Sequence, residues 1–479
     1  MVVALLPYAL HLLSPSQGAG LFFRVLPFLV LALTAYQVAT DGYRWQMLPA
    51  YGIAAAFVVY ECTRYFGVID APYLVGIAGI GLLLATIIVS TALPVFQLPS
   101  PTGQYSVGTQ IRHIVEEGRR DQFSDRPDRA RELMIQIWYP IGPSAPGKIA
   151  PYRDKRITRF SDAHFALVRT HSILDAPLAD SQTRYPVVVY APSWNGLRTE
   201  STYQAEELAS HGYIVVAMDH PFSSRITVFP DGRIARRKFT GDEDYSSQEA
   251  LDAFIRTADQ QVEFRARDAS FVFDTLVHLN ASDPQNLLTG RLELDRVGIF
   301  GFSFGGATAA QACWLDRRFK AGLNLDGMVA GESAKQGTVA PFFFMFGDGV
   351  PKPATGQSNT DAAKRREIEF ESEQEAQIKL SLSKYGDYWV VIPGLKHLDF
   401  SDVPFFFPLR FSGAPFLSSP RFNPAESERN ARIVSRYVVA FFDERLKRIE
   451  GSLLEASPDF PGIVALAWKN GVDSQPSGR

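Results

Sequence analysis

The sequence predicts an α/β fold, a mainly parallel sheet with helices on both faces, preceded by a bundle of membrane helices. Three observations carry that expectation. Residues 1–97 are almost free of charge. From about residue 131, short apolar runs rich in β-branched and aromatic residues alternate with helical patterns, as strands buried on both faces and their crossover helices should. At one junction an apolar run, Val297-Gly298-Ile299-Phe300, is followed by Gly301-Phe302-Ser303-Phe304-Gly305-Gly306 and then by the helix-forming Ala307-Thr308-Ala309-Ala310-Gln311-Ala312. Strand, G-x-S-x-G, helix is the nucleophile elbow of an α/β-hydrolase.

Composition narrows the function classes. The chain has 479 residues, room for more than one domain, and 48 Lys plus Arg against 51 Asp plus Glu. A net charge of −3 gives no basic excess to attract nucleic acid. The two cysteines, Cys62 and Cys313, lie in different regions and neither bridging nor metal-ligand spacing is expected. No metal or organic cofactor is implied.

The N-terminal region, 1–97, is read as three or four transmembrane helices. Tyr73 to Phe96 is 24 residues without a charge, about 36 Å of helix. Val25–Ala39 and Met47–Tyr60 reach spanning length only by including flanking residues such as Arg24 and Glu61, and Val2–Leu13 is shorter still. Arg24, Arg44 and Arg64 lie near run ends, where long cations snorkel, and Tyr43 and Trp45 suit an interface. The start lacks the basic segment of a signal peptide. Gly76-x-x-Gly79-x-Gly81 follows no strand, so it reads as small residues on a helix face and not as a nucleotide fingerprint. The chain is therefore expected to be a multi-pass integral membrane protein. A fragment beginning near Leu98 is expected to be soluble and active.

Residues 98–130 form a polar connector and first hairpin, with Glu116–Asp121 in a solvated hairpin or loop. The catalytic domain is placed at 131–450. Its strands are 133–139, 187–190, 213–218, 297–300, 321–325, 341–346 and 388–392; its helices are 202–210, 247–280, 307–315 and 426–449. A charged insertion, 351–387, reads as a solvated helix or a lid. Residues 451–479 are a tail.

A Ser nucleophile needs a base and an orienting acid, in the chain order Ser, acid, His. His397 is the one histidine after Ser303, in a Gly-containing loop directly after the strand 388–392. His220 follows a strand but precedes the nucleophile and reads as structural. Asp326 ends the strand 321–325 and Asp348 follows 341–346; sequence physics leaves both open as the acid. The N–H of Phe304, after the nucleophile, faces the developing oxyanion. The second donor should come from Pro192-Ser193-Trp194-Asn195-Gly196, with the N–H of Trp194 ahead of that of Ser193.

The chain resembles the plasma-type platelet-activating factor acetylhydrolase family. The likeness runs from Gln104-Tyr105-Ser106-Val107-Gly108 through Leu208-Ala209-Ser210-His211-Gly212-Tyr213. It is strongest in Gly301–Thr308 and in Arg318-Phe319-Lys320-Ala321-Gly322-Leu323-Asn324-Leu325-Asp326, and ends near Asp402. It implies Asp326 as the acid, because that family places its aspartate directly after this strand. The chain departs from the family at Phe302, where a His is usual, at the oxyanion loop, which lacks a His-Gly pair, and at Met328, where an aromatic is usual. Phe302 and Met328 thus become candidates for the acyl pocket. The expected activity is hydrolysis of short acyl esters of phospholipids or related carboxylic esters at a bilayer. Dienelactone- and polyester-hydrolase groups share parts of the pattern, and an inactive hydrolase-like binding module is the alternative from another class. Val403–Leu409 is expected either in the core or at a lipid-accepting mouth.

Overall fold

The computed structural model describes residues 2–14, 20–126, 128–158, 160–239, 243–347, 361–385, 388–406, 424–449, 467–469 and 472–474. The chain divides into two compact units. One joins residues 1–97 to the described parts of 151–169 and 405–424; the other holds the rest.

In the first unit, helices α1 (Val2–Leu13), α2 (Gly20–Asp41), α3 (Leu48–Tyr65) and α4 (Pro72–Ala92) surround a core of Leu5, Tyr8, Ala9, Leu12, Val30, Ala54, Phe57 and Leu83. Gly79 lets α4 approach α3: a Cβ there would meet the Phe57 ring at 2.5 Å. Their outer surface shows Leu21, Phe22, Leu33, Leu74, Ile77 and Ile88. Three or four spans were expected. Among the described residues two stretches, Gly20–Thr40 and Pro72–Ala92, are long and apolar enough to cross a membrane by length and composition. Helix α3 carries Glu61 and Arg64, whose carboxylate and guanidinium lie 3.6 Å apart, and Tyr8 donates to Glu61 at 2.5 Å. The unit also contains an aromatic cluster outside α1–α4. Phe96 packs on Tyr152, Phe165 and Phe406 with ring centroids 5.1, 5.4 and 4.8 Å away.

The second unit is built on a ten-stranded sheet. Its strands are β1 (Ser106–Arg120), β2 (Ala130–Ile141), β3 (Ile149–Pro151), β4 (Arg169–Leu174), β5 (Tyr185–Ala191) and β6 (Ile214–Asp219), and then, after a small hairpin of β7 (Ile226–Val228) and β8 (Ile234–Arg236), β9 (Leu292–Phe302), β10 (Phe319–Leu325), β11 (Phe342–Phe346) and β12 (Tyr388–Val391). The order is β12-β11-β10-β9-β5-β6-β2-β1-β4-β3. From β6 to β12 neighbours are parallel, while β2 runs antiparallel to both β6 and β1. Helices α5 (Thr202–Ser210), α6 (Gln248–Ala281), α7 (Phe304–Leu315), α8 (Gly331–Gln336), α9 (Asp361–Tyr385) and, after the short α10 (Val403–Phe406), whose last two residues belong to the first unit, α11 (Pro424–Phe442) complete an α/β-hydrolase fold.

Strand alternation divides the core. Val187, Val189 and Ile299 pack with Ala266, Val272, Ala309 and Ile378 on one face. Val188, Tyr190 and Phe300 pack with Leu208, Ile433, Val438 and Phe442 on the other. Two sequence expectations are refined. Glu116 and Arg119, expected in a solvated hairpin or loop, lie in β1 of the β1–β2 hairpin, where Arg119 reaches Glu116 at 2.6 Å and the buried Asp268 at 2.5 Å. The charged insertion is not simply solvated: α9 buries Ala363, Phe370, Gln374, Ile378 and Leu382 along one stripe.

Candidate active site

The G-x-S-x-G segment turns directly from β9 into α7. Ser303 sits at φ +55° and ψ −126°, a strained setting for a side-chain-bearing residue, and its N–H donates to Leu325 O at 2.8 Å. The flanking glycines are required by close backbone approach. A Cβ on Gly301 would lie 2.1 Å from Gly305 O, and one on Gly305 would lie 2.0 Å from Ala191 O. No side chain fits either place.

The structure brings Ser303, His397 and Asp326 together. His397 Nε2 is 3.1 Å from Ser303 Oγ, and its Nδ1 is 2.7 Å from Asp326 Oδ2. Asp326 has φ +54° at the end of β10, and its Oδ1 accepts the Gly347 N–H at 2.8 Å. A carboxylate only accepts, so Nδ1 donates to it and Nε2 is left to accept from the Ser303 hydroxyl. Burial alone would lower the affinity of His397 for its proton. The hydrogen bond and charge of Asp326, with Glu243 and Glu200 at longer range, outweigh it and hold the imidazole above its ordinary value. The His397 side chain is nevertheless 47% exposed, which leaves its open face accessible to a substrate. Asp348 lies outside the described residues.

The loop after β5 shows why one donor remains. The Ser193 N–H is committed to Glu200 Oε2 at 2.7 Å, and Ser193 Oγ donates to Glu200 Oε1 at 2.5 Å. The N–H groups of Trp194 and Phe304 have no hydrogen-bond acceptor among the described residues. The two residues are neighbours, with ring centroids 4.2 Å apart. Beneath the loop the buried Arg265 donates from Nη2 to the carbonyls of Pro192 and Ser193.

Phe302 and Met328 are not brought together. Phe302 is buried, belongs to the α5–α11 face, and tilts against the His397 ring with centroids 4.8 Å apart. It therefore packs directly against the imidazole. Met328 lies where two apolar clusters meet, one with Phe304, Ala307 and Trp194, the other with Tyr245, Phe254 and Phe370. His220 is buried away from the relay, with Nδ1 2.9 Å from Asp268; burial pushes it down to about 3 and keeps it neutral. Of Val403–Leu409, residues 403–406 are described as α10 and 407–409 lie outside the described residues.

Sequence reasoning missed Glu200, Arg265 and Glu243. The Glu243 carboxyl is pushed up to about 7 by burial, offset in part by the Tyr245 hydroxyl at 3.3 Å and by the charge of His397. None of the three belongs to a local motif, and only the assembled fold places them.

A family model described as platelet-activating factor acetylhydrolase, isoform II, matches residues 92–451. A probable 1-alkyl-2-acetylglycerophosphocholine esterase from Arthroderma benhamiae is 26% identical over 53% of this chain and 65% of its own length. A platelet-activating factor acetylhydrolase from Canis lupus familiaris is 29% identical over 34% of this chain and 39% of its own. The chain thus spans less than two thirds of either relative. A solved ferulic acid esterase from Streptomyces cinnamoneus superposes with a TM-score of 0.57 at 28% identity, covering 76% of this chain and 97% of that one.

Proposed function

The chain belongs to the platelet-activating factor acetylhydrolase, isoform II, family, and from that premise we propose that it is a membrane-tethered serine esterase acting on short acyl esters of phospholipids or related carboxylic esters. The observation that carries this reading is the unbroken relay from Ser303 Oγ through His397 to Asp326, at 3.1 and 2.7 Å. Ser303 attacks the ester carbonyl while His397 takes its proton. The tetrahedral oxyanion is held by the N–H groups of Phe304 and Trp194. Collapse expels the alcohol, which receives the proton from His397, and leaves an acyl-Ser303 ester. Water, deprotonated by His397, then releases the carboxylic acid and restores the serine. Asp326 orients the imidazole and stabilises its charged form throughout. Met328, Trp194 and Phe304 supply the apolar wall for the acyl chain, and α2 and α4 supply the tether.

The experiment is fluorophosphonate labelling of the full chain in membranes, followed by turnover of acetyl- to palmitoyl-phospholipids, aryl esters, feruloyl esters and lactones. Labelling of the unaltered chain but not of Ser303→Ala, with short-acyl phospholipids turned over fastest, is the expected result. An unlabelled, inactive chain would mean a hydrolase-like binding module. The likeness to the ferulic acid esterase favours one second reading, an esterase for aromatic or other non-lipid carboxylic esters. Faster turnover of feruloyl or simple aryl esters than of any phospholipid would select it.

A further inference from the structure

We infer that Glu200 and Arg265 are positioning residues of the oxyanion hole: together they clamp two consecutive peptide units so that the one N–H left open, that of Trp194, points at the reacting carbonyl. The inference rests on the esterase reading above.

The two peptide units can be followed atom by atom. In the Pro192–Ser193 unit, the carbonyl accepts from Arg265 Nη2 and the N–H donates to Glu200 Oε2 at 2.7 Å. In the Ser193–Trp194 unit, the carbonyl accepts from Arg265 Nη2 at 3.2 Å and from the Gly196 N–H at 3.0 Å. Its N–H has no acceptor among the described residues. A trans peptide is planar, with C=O and N–H on opposite edges. Pinning the Ser193 carbonyl from two sides therefore fixes the direction of the Trp194 N–H. A cation on that carbonyl also draws electron density through the amide and makes the N–H a stronger donor. The same guanidinium lies 5.2 Å from the centroid of Phe304, the residue that supplies the other donor.

The clamp is costly, which argues that it is kept for a purpose. Arg265 is 1% exposed, and its Nε and Nη1 find no hydrogen-bond partner among the described residues. A buried cation with unmet donors lowers stability. What it obtains in the described structure is the pair of loop carbonyls, the ring of Phe304, and the charge of Glu200. Glu200 is seated by the Ser193 N–H and hydroxyl and the Tyr190 hydroxyl, hard against Gly196, where a Cβ would come within 2.4 Å of Oε2. The loop sequence is thus shaped around the carboxylate.

The test uses the full chain in detergent or membranes, with active sites counted by fluorophosphonate labelling. Arg265→Met, Arg265→Lys, Glu200→Ala and Glu200→Gln are compared with Arg267→Met, an exposed arginine on the same helix. The readouts are kcat, KM, melting temperature, and inhibition by an alkyl trifluoromethyl ketone, which Ser303 converts to a tetrahedral oxyanion adduct. For Arg265→Met and Glu200→Ala, kcat per active site should fall about 10- to 100-fold, in the range of a weakened oxyanion donor. Affinity for the ketone should fall in parallel, with KM within about two-fold. Lys, which reaches one carbonyl, should lie between Met and Arg. Gln, which can still accept from the Ser193 N–H and donate to Ser193 Oγ, should retain most of kcat. Arg267→Met should match the unaltered chain. If Arg265→Met does not fold, Arg265→Lys decides. Unchanged kcat in that variant, or a loss of kcat that ketone affinity does not follow, overturns the inference. An unaltered chain that neither labels nor turns over ester would sink the esterase reading instead.

Discussion

At the scale of single residues, the relay makes distinct demands on each member. Under the proposed mechanism Ser303→Ala removes the nucleophile, so labelling should vanish and esterase rate fall to what binding and the oxyanion donors leave. Asp326→Asn keeps the shape but loses the charge that fixes the His397 tautomer, and should cost about four orders of magnitude in kcat. Asp348→Asn should cost far less; the reverse ranking would move the acid to Asp348. The proton balance of His397 gives a pH test. Its affinity for the proton is raised, and only the neutral ring accepts from serine, so kcat/KM should fall as pH drops through a midpoint above about 6.5. Glu243 contributes to that rise through its charge. Glu243→Gln should therefore shift the midpoint downward, and an unmoved pH profile would show that the two groups are not coupled. Met328, between the Trp194–Phe304 cluster and the α6–α9 cluster, should limit acyl length. Met328→Ala should improve turnover of longer acyl chains while leaving acetyl turnover largely intact, each methylene being worth about 1–3 kcal/mol. Better turnover of palmitoyl than acetyl esters by the unaltered chain would remove that argument. Ser303 and His397 were legible because their signals are local, an elbow and a loop after a strand; Asp326 shared its strand-end signal with Asp348, and only the family resemblance preferred it. Arg265 was not, because it meets Pro192 across 73 residues of sequence, and nothing near either one announces the contact.

At the scale of elements, the apolar runs that became β5, β6 and β9–β12 could be read directly, because strands buried on both faces have no polar side to disguise them. In two elements the packing hid behind the charges. β1 carries Glu116 and Arg119, and α9 opens with Lys364-Arg365-Arg366-Glu367. In both, side chains that look solvated are tied to the fold: Arg119 to Asp268, and Arg366 to the carbonyls of Tyr245 and Ser246 at 2.9 and 2.6 Å. The apolar content of α9 is about one residue per turn, too thin a stripe to outweigh the charge run in a sequence window. Its packing is nonetheless close. Gln374 accepts the buried Val329 N–H at 2.7 Å, and Ile378 is fully buried. Val329 follows Met328, so α9 braces the wall assigned to the acyl chain. Ile378→Ala should destabilise the chain by about 2–5 kcal/mol, the usual range for a core Ile. Ile368→Ala, on the same helix but 52% exposed, should stay within about 0.5 kcal/mol. Equal, small effects in thermal unfolding would mean that α9 is not packed.

At the scale of the whole molecule, the boundary near residue 97 is less simple than a tether joined to an enzyme. Residues from 151–169, which the sequence assigns to the catalytic segment, group with the N-terminal helices. Trp45 Nε1 donates to His164 Nδ1 at 3.2 Å, Phe96 sits among Tyr152, Phe165 and Phe406, and Arg153 lies 4.8 Å from the Phe165 ring centroid. This grouping was not legible because it is made by side chains far apart in sequence, and the segment carries no apolar run long enough to mark it. Burial pushes His164 down to about 4, so it stays neutral and able to accept from Trp45. A depressed basic group of this kind lends stability that is present above about pH 6.5 and lost as pH falls toward 4. The fragment beginning at Leu98 therefore deserves a different expectation from the one composition suggests. It lacks Trp45 and Phe96, leaving Tyr152, Phe165, Phe406 and the aliphatic stem of Arg153 open to water. The loss of three aromatic contacts at about 0.5–1.5 kcal/mol each, before area burial is counted, should lower its melting temperature and make it aggregate or require detergent. In the full chain, Phe96→Ala should reproduce part of that loss. The tether is tested separately: with α2 and α4 each about 32 Å long, the full chain should remain in the membrane fraction after an alkaline wash, whereas a peripheral protein would be released. A Leu98 fragment that is soluble, monomeric and as heat-resistant as the full chain would show that the aromatic cluster contributes nothing, and that residues 1–97 are an anchor and no more.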